Sequence, residues 1–236
     1  MKILALESSA VACSACLTED DFLIAQSYEN SGMTHSVTLL PMAEELMKRV
    51  GVEGKDVDVF AVAAGPGSFT GVRIGVSACK GLAWALDKPC AKVSTLEAMA
   101  WSTAVLPGLV CPVMDARREQ VYNALFSFDG ETLNRLTPDR AIGLEELAEE
   151  LKSRGGRYLL VGDGAQLCYD RLSGTGLELA LTPPNLRYQS AWGVARAAWE
   201  LAKSGELVSA RELVPEYHRL SQAERERLTK EQSQSI

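Results

Sequence analysis

The sequence has no long apolar run and very little histidine, and each shortage excludes a class of protein. A membrane-spanning helix needs about 20 successive apolar residues, whereas the run from Val59 to Ala64 ends at Gly65. The two histidines are His35 and His218, so no second histidine stands one helical turn from His35. Zinc hydrolases commonly carry such a histidine pair. Many serine hydrolases carry a G-x-S-x-G motif, and this motif is absent from the sequence as well. We expect no membrane span and no metal.

Basic residues are outnumbered as well, with 24 Lys and Arg against 31 Asp and Glu and a net charge of −7. Such a chain has no general attraction to nucleic-acid phosphates or anionic lipids. Cys13 and Cys16 form a C-x-x-C, but they lie in a strand-like run where residues three apart point to opposite faces. A redox or metal pair is therefore disfavoured. With no secretory signal pattern at the N-terminus, we expect a cytoplasmic protein.

The spacing of apolar and turn residues predicts the order β-β-β-α-β-α-β-α for the first half of the chain. Three strands joined by tight polar turns indicate an antiparallel meander. Thr34 is a candidate N-cap of the first helix, and Gly51 stands just beyond its end. The predicted elements are strands 3–6, 11–17, 22–28, 57–64 and 90–93 and helices 34–50, 70–86 and 95–105.

Pro107-Gly108 marks the predicted domain boundary. We predict one subdomain over 1–106, a second over 107–220, and a frayed or disordered polar tail over 221–236. In the second subdomain the pattern indicates strands 109–114, 120–128 and 158–161 and helices 143–154 and 190–204. The last helix, capped by Ser190, is a candidate to pack back on the first subdomain.

The glycine-rich turn Gly65-Pro-Gly-Ser-Phe-Thr-Gly71 is the candidate ligand-binding motif, because it links a strand to a helix. Backbone N–H groups at a helix N-terminus can bind phosphate. The turn is not a Walker A loop, since no Gly-Lys-Ser/Thr follows, and Thr70 replaces the third glycine of G-x-G-x-x-G. Two interpretations remain open: a phosphate loop, or a turn that lets helix and sheet approach closely.

The two helices on either side of this turn carry more apolar surface than one core needs. The second is apolar nearly all round and has small residues at every fourth position, which would form a groove for a partner helix. The first has two adjacent apolar stripes. We interpret the pair as a docking face, because monomers rarely expose large apolar patches; the alternative is that the protein's own second domain covers both. The predicted partner-binding residues are Leu39, Met42, Leu46, Gly71, Gly75 and Cys79.

The run Ala63-Ala-Gly-Pro-Gly-Ser-Phe-Thr-Gly-Val-Arg-Ile-Gly75 closely resembles the signature of the bacterial TsaB family, also called YeaZ. Four further stretches resemble family motifs in the same order: Ile3–Ser9, His35–Pro41, Asp115–Tyr122 and Pro215–Tyr217. The resemblance covers residues 1 to about 220. It implies an α/β fold of the actin-like, Hsp70-like (ASKHA) type, a duplicated β-β-β-α-β-α unit in two subdomains.

The resemblance also implies a function. TsaB acts with TsaD and the ATPase TsaE to place a threonylcarbamoyl group on the adenosine beside the anticodon of tRNAs that read codons beginning with A. TsaD carries a metal-binding histidine pair on its first helix, of which this chain keeps only His35. We therefore expect a non-catalytic scaffold or activator subunit that is not an enzyme by itself. The implied partners are TsaD and TsaE, a second copy when the protein is alone, and tRNA through the complex.

Nucleotide-binding relatives of the fold imply a candidate vestigial nucleotide site, formed by Glu7, Ser8, Ser9, Gly65 and Gly67. Glu7 stands where many family members have Asp and keeps the negative charge, so this departure neither proves nor excludes the site. We expect no resident cofactor, and ATP binding only weakly or in the complex. Glu119 stands where a glycine is common, which puts the turn geometry there in doubt. Two alternatives remain: a glycoprotease-like metallopeptidase, and a small-molecule kinase with Gly162-Asp-Gly164 as its second phosphate loop.

Overall fold

Two β-sheets with flanking helices make up residues 1–218, the part of the chain that the computed structural model describes. The predicted tail over 221–236 lies outside the described residues. The strands are β1 Lys2–Glu7, β2 Cys13–Glu19, β3 Phe22–Glu29, β4 Val59–Gly65, β5 Cys90–Ser94, β6 Leu109–Asp115, β7 Gln120–Asn123, β8 Phe126–Phe128, β9 Leu133–Arg135, β10 Arg140–Gly143, β11 Arg157–Val161 and β12 Glu178–Leu181. The helices are α1 His35–Val50, α2 Phe69–Leu86, α3 Thr95–Thr103, α4 Leu144–Arg154, α5 Ala165–Leu172 and α6 Ala191–Ser204.

The first sheet has the strand order β3-β2-β1-β4-β5. Its three N-terminal strands pair antiparallel, and β1, β4 and β5 pair parallel. Every residue of β4 is buried, as expected for a parallel strand that is covered on both faces. Helix α1 begins after Thr34, runs through Pro41 and ends at Val50, where Gly51 caps it with a left-handed φ of 69°. The predicted order β-β-β-α-β-α-β-α is confirmed.

The second half repeats the topology of the first. Its main strands follow the order β10-β7-β6-β11-β12, with the same division into antiparallel and parallel pairs. Helices α4 and α5 stand where α1 and α2 stand in the first half. The predicted duplication is therefore confirmed. The hairpin β8–β9 is an addition that pairs with β6 through Val110 and Phe126.

Several short elements of the second half differ from the prediction. The strand predicted over 120–128 is two strands, because the Asn123 side chain is buried and donates to the backbone carbonyls of Pro112 and Ala124 at 3.0 and 3.1 Å. Strands β9, β10 and β12 and helix α5 were not predicted. Each has between three and eight residues, too few for an apolar period to stand out.

Helices cover both faces of the first sheet. Helices α1 and α2 pack on one face through residues such as Leu39 and Val72, and α6 packs on the other through residues such as Val194. The last helix thus lies on the first sheet, although it follows the second sheet in sequence. Beyond it, residues 206–218, here called the strap, return along the first sheet, where Val208 exchanges backbone hydrogen bonds with Cys90.

The cysteines are all buried and free. Cys13 packs on the α1–α2 side of the sheet and Cys16 on the α6 side, as the strand period predicts. Within residues 1–218, no helix is long and apolar enough to cross a membrane.

Candidate functional site

The glycine-rich turn between β4 and α2 packs tightly against two other segments of the chain. A Cβ at Gly65, whose φ is 127°, would lie 2.2 Å from the Glu216 carbonyl oxygen of the strap. At Gly67 it would lie 2.5 Å from the Ser9 carbonyl oxygen. Ser68 caps α2 and donates its N–H to Ser9 at 2.7 Å. At both glycines, therefore, the turn serves the close approach of neighbouring segments.

A polar cleft of about 510 Å³ lies between the two halves of the molecule. The β4–α2 turn and the strap form one wall, and loops that follow strands of the second sheet form the other. Its principal polar side chains are Ser9, Ser68, Asp115, Arg117, Tyr122, Asp163, Glu216 and Tyr217. This mixture of hydroxyl, carboxyl and guanidinium groups can hydrogen-bond a small polar ligand.

The five candidate nucleotide-site residues do come together beside this cleft. Glu7 is fully buried at the end of β1, where its Oε1 accepts from the Ser9 N–H at 2.6 Å. Its Oε2 has no hydrogen-bond partner within the described residues. Burial, together with the nearby Asp163 carboxylate, raises the pKa of Glu7 to about 7. The role of Glu7, Ser8, Ser9, Gly65 and Gly67 in binding nucleotide remains a prediction.

Asp163 is a second carboxyl group close to Glu7, and Asp115 and Glu216 also line the cleft. Burial raises the pKa of its carboxyl group, which accepts from Gln189 Nε2 at 2.9 Å. The flanking Gly162 and Gly164 pack against the backbone of β6, with a Cβ at Gly162 placed 2.2 Å from the Val113 carbonyl oxygen. These acidic groups disfavour the binding of a bare anion. No group of three or more metal-ligating side chains occurs within residues 1–218.

The hairpin from β6 to β7 adopts an unusual backbone at the edge of this cleft. Arg117, Arg118 and Glu119 have φ values of 66°, 56° and 56°, all left-handed. The Arg117 N–H and guanidinium bond the Asp115 carboxylate at 2.7 and 3.1 Å. The left-handed φ at Glu119 gives a physical reason for a glycine to be common at this position.

The predicted groove of small residues on α2 faces the protein's own sheet, so the prediction that it is open to a partner is wrong. A Cβ at Gly71 would lie 2.1 Å from the Ser8 carbonyl oxygen. At Gly75 it would lie 2.6 Å from Ser8 Oγ and 3.1 Å from Val62 Cγ2. Cys79 is also buried. The small residues let α2 lie directly on β1 and β4.

The α1 residues of the predicted docking face point into the same core. Leu39 is 1% exposed and Leu46 is 5% exposed, while Met42 is half-buried and packs against the same cluster. The sheet of the first half covers them, not the second domain. Whether the helix pair binds a partner remains a prediction; Leu39 also lines the open groove described next, but almost none of its surface is accessible.

A different groove between α1 and α2 is open to solvent. It has a volume of about 560 Å³ and contains Leu40, 45% exposed, together with Phe69, Ile74 and Ala78. Val37, 61% exposed, lies one turn before Leu40 on α1. Exposed apolar surface of this kind marks interaction sites.

His35 lies at the end of the groove that is close to the N-terminus of α1. Its Nε2 donates to the Ala10 carbonyl oxygen at 2.7 Å, which ties α1 to the loop after β1. One of the two ring nitrogens of His35 is therefore already occupied by a hydrogen bond within the chain. The residue one turn further, Leu39, is buried.

Sequence reasoning missed the part of the strap that packs beside this groove. Tyr217 stacks on Phe69, with ring centroids 4.6 Å apart and ring planes at 23°. Arg73 places its guanidinium carbon 3.8 Å from the centre of the Phe69 ring and donates from Nε to Tyr217 Oη at 2.7 Å. The only sequence signal was the motif resemblance at Pro215–Tyr217, which gives no position in space.

The sequence is similar to proteins of tRNA modification. A family model described as TsaD, tRNA N6-adenosine threonylcarbamoyltransferase, matches residues 29–223. The tRNA threonylcarbamoyladenosine biosynthesis protein TsaB of Bacillus subtilis (strain 168) is 34% identical over 233 residues, which are 95% of this chain and 96% of the relative.

The fold is similar to solved structures as well. YeaZ from Pseudomonas aeruginosa has a TM-score of 0.79 and 28% identity, over 92% of this chain and 99% of that chain. Component A of the (R)-2-hydroxyglutaryl-CoA dehydratase of Acidaminococcus fermentans has a TM-score of 0.50 and 13% identity, over 86% of this chain and 99% of that chain. The second likeness concerns the fold alone, which is the actin-like ASKHA architecture.

Proposed function

Because the chain belongs to the TsaB (YeaZ) family of tRNA threonylcarbamoyladenosine biosynthesis proteins, we propose that it is a non-catalytic scaffold subunit. The complex it serves would transfer a threonylcarbamoyl group to the adenosine beside the anticodon of tRNAs reading codons that begin with A. Its main partner would be the TsaD paralogue, with tRNA reached through the complex in the cytoplasm. Binding to the ATPase TsaE and a homodimer in isolation follow from the family resemblance and remain predictions.

The observation that carries this proposal is the open α1–α2 groove on a chain that matches a TsaD family model. A paralogue of the same fold offers an equivalent helix pair, so two such faces can pack about a pseudo-two-fold axis. Leu40 and Val37 supply exposed apolar area for that contact. The same geometry would serve a homodimer when TsaD is absent.

The environment of His35 supports assigning the transfer chemistry to the partner. Its Nε2 is bonded to the Ala10 carbonyl oxygen, and the next turn of α1 offers the buried Leu39 in place of a second ligand. A helix-borne metal site needs two such ligands on one face. This chain would instead contribute binding surface and orientation.

The proposal is tested by Leu40→Asp, which places a charge in the centre of the groove. Co-purification with the TsaD paralogue of the same genome should fail, and formation of threonylcarbamoyladenosine in tRNA should fall by about tenfold or more, as for a central interface residue. Val105→Asp is the matched control, because Val105 is 80% exposed and lies outside the groove. If Leu40→Asp stays folded by circular dichroism and still binds TsaD like Val105→Asp, the docking face lies elsewhere.

The interdomain cleft remains a candidate nucleotide site in this proposal, formed around Glu7, Ser8 and Ser9. Its acidic groups favour a ligand that brings its own cation, such as a magnesium-bound nucleotide, over free phosphate. A thermal shift with ATP and magnesium, compared with magnesium alone, measures this directly. If millimolar ATP leaves the Tm unchanged, the cleft is not a nucleotide site in the free subunit.

A further inference from the structure

Arg73 is an exposed arginine whose side chain is fixed by two aromatic rings. Its guanidinium lies on the face of Phe69 at 3.8 Å, and its Nε donates to Tyr217 Oη at 2.7 Å. Tyr217 comes from the strap, 144 residues further along the chain, and stacks on the same ring. An arginine held in this way has lost much of its side-chain freedom before any partner arrives, which reduces the entropy cost of binding.

The charge of Arg73 is not neutralised within the described chain. Most arginines among residues 1–218 form ion pairs, for example Arg49 with Glu45 and Arg135 with Glu97, but Arg73 forms none. Of the described residues that line the groove, none is acidic, and Arg73 is the one with a permanent charge. A fixed, unpaired guanidinium therefore stands at the rim of a groove whose other lining residues are apolar or uncharged polar.

We propose that Arg73, held in place by Phe69 and Tyr217, is a specificity residue of the docking face that pairs with a carboxylate of the partner protein. The guanidinium presents parallel N–H donors, which match a carboxylate in a bidentate pair. Because Nε is already bonded to Tyr217, the donors left for the partner are those of Nη1 and Nη2. The partner would thus offer an apolar helix face with an Asp or Glu beside it.

This inference rests on the proposed docking function and adds a basis for choosing between partners. A second copy of this chain brings no carboxylate from its own groove lining, so it leaves Arg73 unpaired at a groove-to-groove contact. A paralogue with an acidic residue at that position would bind more tightly than a second copy. A phosphate could also pair with a guanidinium, but the net charge of −7 and the apolar walls favour a protein partner over RNA.

The test is a titration of the full chain with the TsaD paralogue at about 50 and 300 mM salt, conditions that change screening of an exposed ion pair. Arg73→Gln should weaken binding about tenfold and flatten its salt dependence, as expected for loss of an interface charge. Arg73→Lys should bind with an affinity between those of the parent and Arg73→Gln. Tyr217→Phe should also weaken binding, because it frees the guanidinium. Arg118→Gln is the control, because Arg118 is exposed, forms no ion pair within residues 1–218, and lies outside the groove.

The outcomes separate this inference from the docking proposal. If Arg73→Gln binds TsaD with the affinity and salt dependence of Arg118→Gln while Leu40→Asp does not bind, the carboxylate pairing is refuted and the docking face stands. If Arg73→Gln loses affinity with unchanged salt dependence, Arg73 acts by packing and the pairing is refuted. If neither Arg73→Gln nor Leu40→Asp affects binding, the docking face itself is refuted. Binding of a short RNA by the chain alone, lost in Arg73→Gln, would replace the carboxylate with a phosphate.

Discussion

Glu7→Gln should make the stability of this protein much less dependent on pH. The Glu7 carboxyl group is fully buried, with Oε2 unpartnered, and its pKa rises from an ordinary 4.5 to about 7. An acid whose pKa is raised in the folded state binds more protons folded than unfolded between these values. The free energy of unfolding therefore falls as pH rises from about 4.5 to 7 and stays low above that.

The two pKa values give the size of the effect. Between about pH 5.5 and 8.5 the parent should lose about 2 kcal/mol of stability through Glu7 alone, a Tm difference of roughly 4–8 °C for a chain of this size. The variant keeps an oxygen that accepts from Ser9 and carries no charge, so its Tm relative to the parent should rise with pH by that amount.

Thermal denaturation of parent and variant at both pH values measures this effect. Glu149→Gln is the control, because Glu149 is exposed on α4 and should show no such rise. An equal Tm offset of Glu7→Gln at both pH values would mean that Glu7 does not change its protonation in this range, and the reasoning from burial would be wrong.

Two further predictions concern folding and catalysis. Gly75→Ala should destabilise the protein by about 1–3 kcal/mol, because the added Cβ would lie 2.6 Å from Ser8 Oγ. Gly81→Ala is the control on the same helix: its Cβ would enter open space, so the change should be neutral or stabilising by about 0.5–1 kcal/mol. Urea denaturation measures both free energies of unfolding, and equal effects would refute the packing argument. His35→Ala should lower the free energy of unfolding by about 1 kcal/mol, because the hydrogen bond to the Ala10 carbonyl is lost. The variant should leave tRNA modification by the assembled complex largely intact. Loss of activity in a complex that still assembles would indicate a catalytic role for His35.

Much of the first half could be predicted because its signals are local. Apolar runs separated by tight polar turns predict β1 to β3, and Thr34 and Gly51 bound α1 within one residue. Ser190 and Gly205 bound α6 in the same way, as cap residues that satisfy orphan backbone groups. In the second half the same reasoning failed for β9, β10, β12 and α5, since three to eight residues do not establish a period.

The candidate site depended more heavily on tertiary structure. The sequence alone determined that the helices beside the glycine turn are unusually apolar and that small residues repeat along α2. It could not determine which stripe faces the sheet, because a row at Gly71 and Gly75 suits close packing on a strand as well as on a partner helix. The structure places that row on Ser8, whose carbonyl oxygen lies where a Cβ of Gly71 would stand, and leaves Leu40 and Ile74 at the open groove.

Two properties of individual side chains were decided by tertiary structure alone. The raised pKa of Glu7 follows from complete burial beside Asp163, which no local pattern reports. The fixed orientation of Arg73 requires Tyr217 to return from the far end of the chain to α2. The sequence shows which side chains are charged or aromatic. The burial of Glu7 and the fixed orientation of Arg73 arise only when segments distant in sequence pack together.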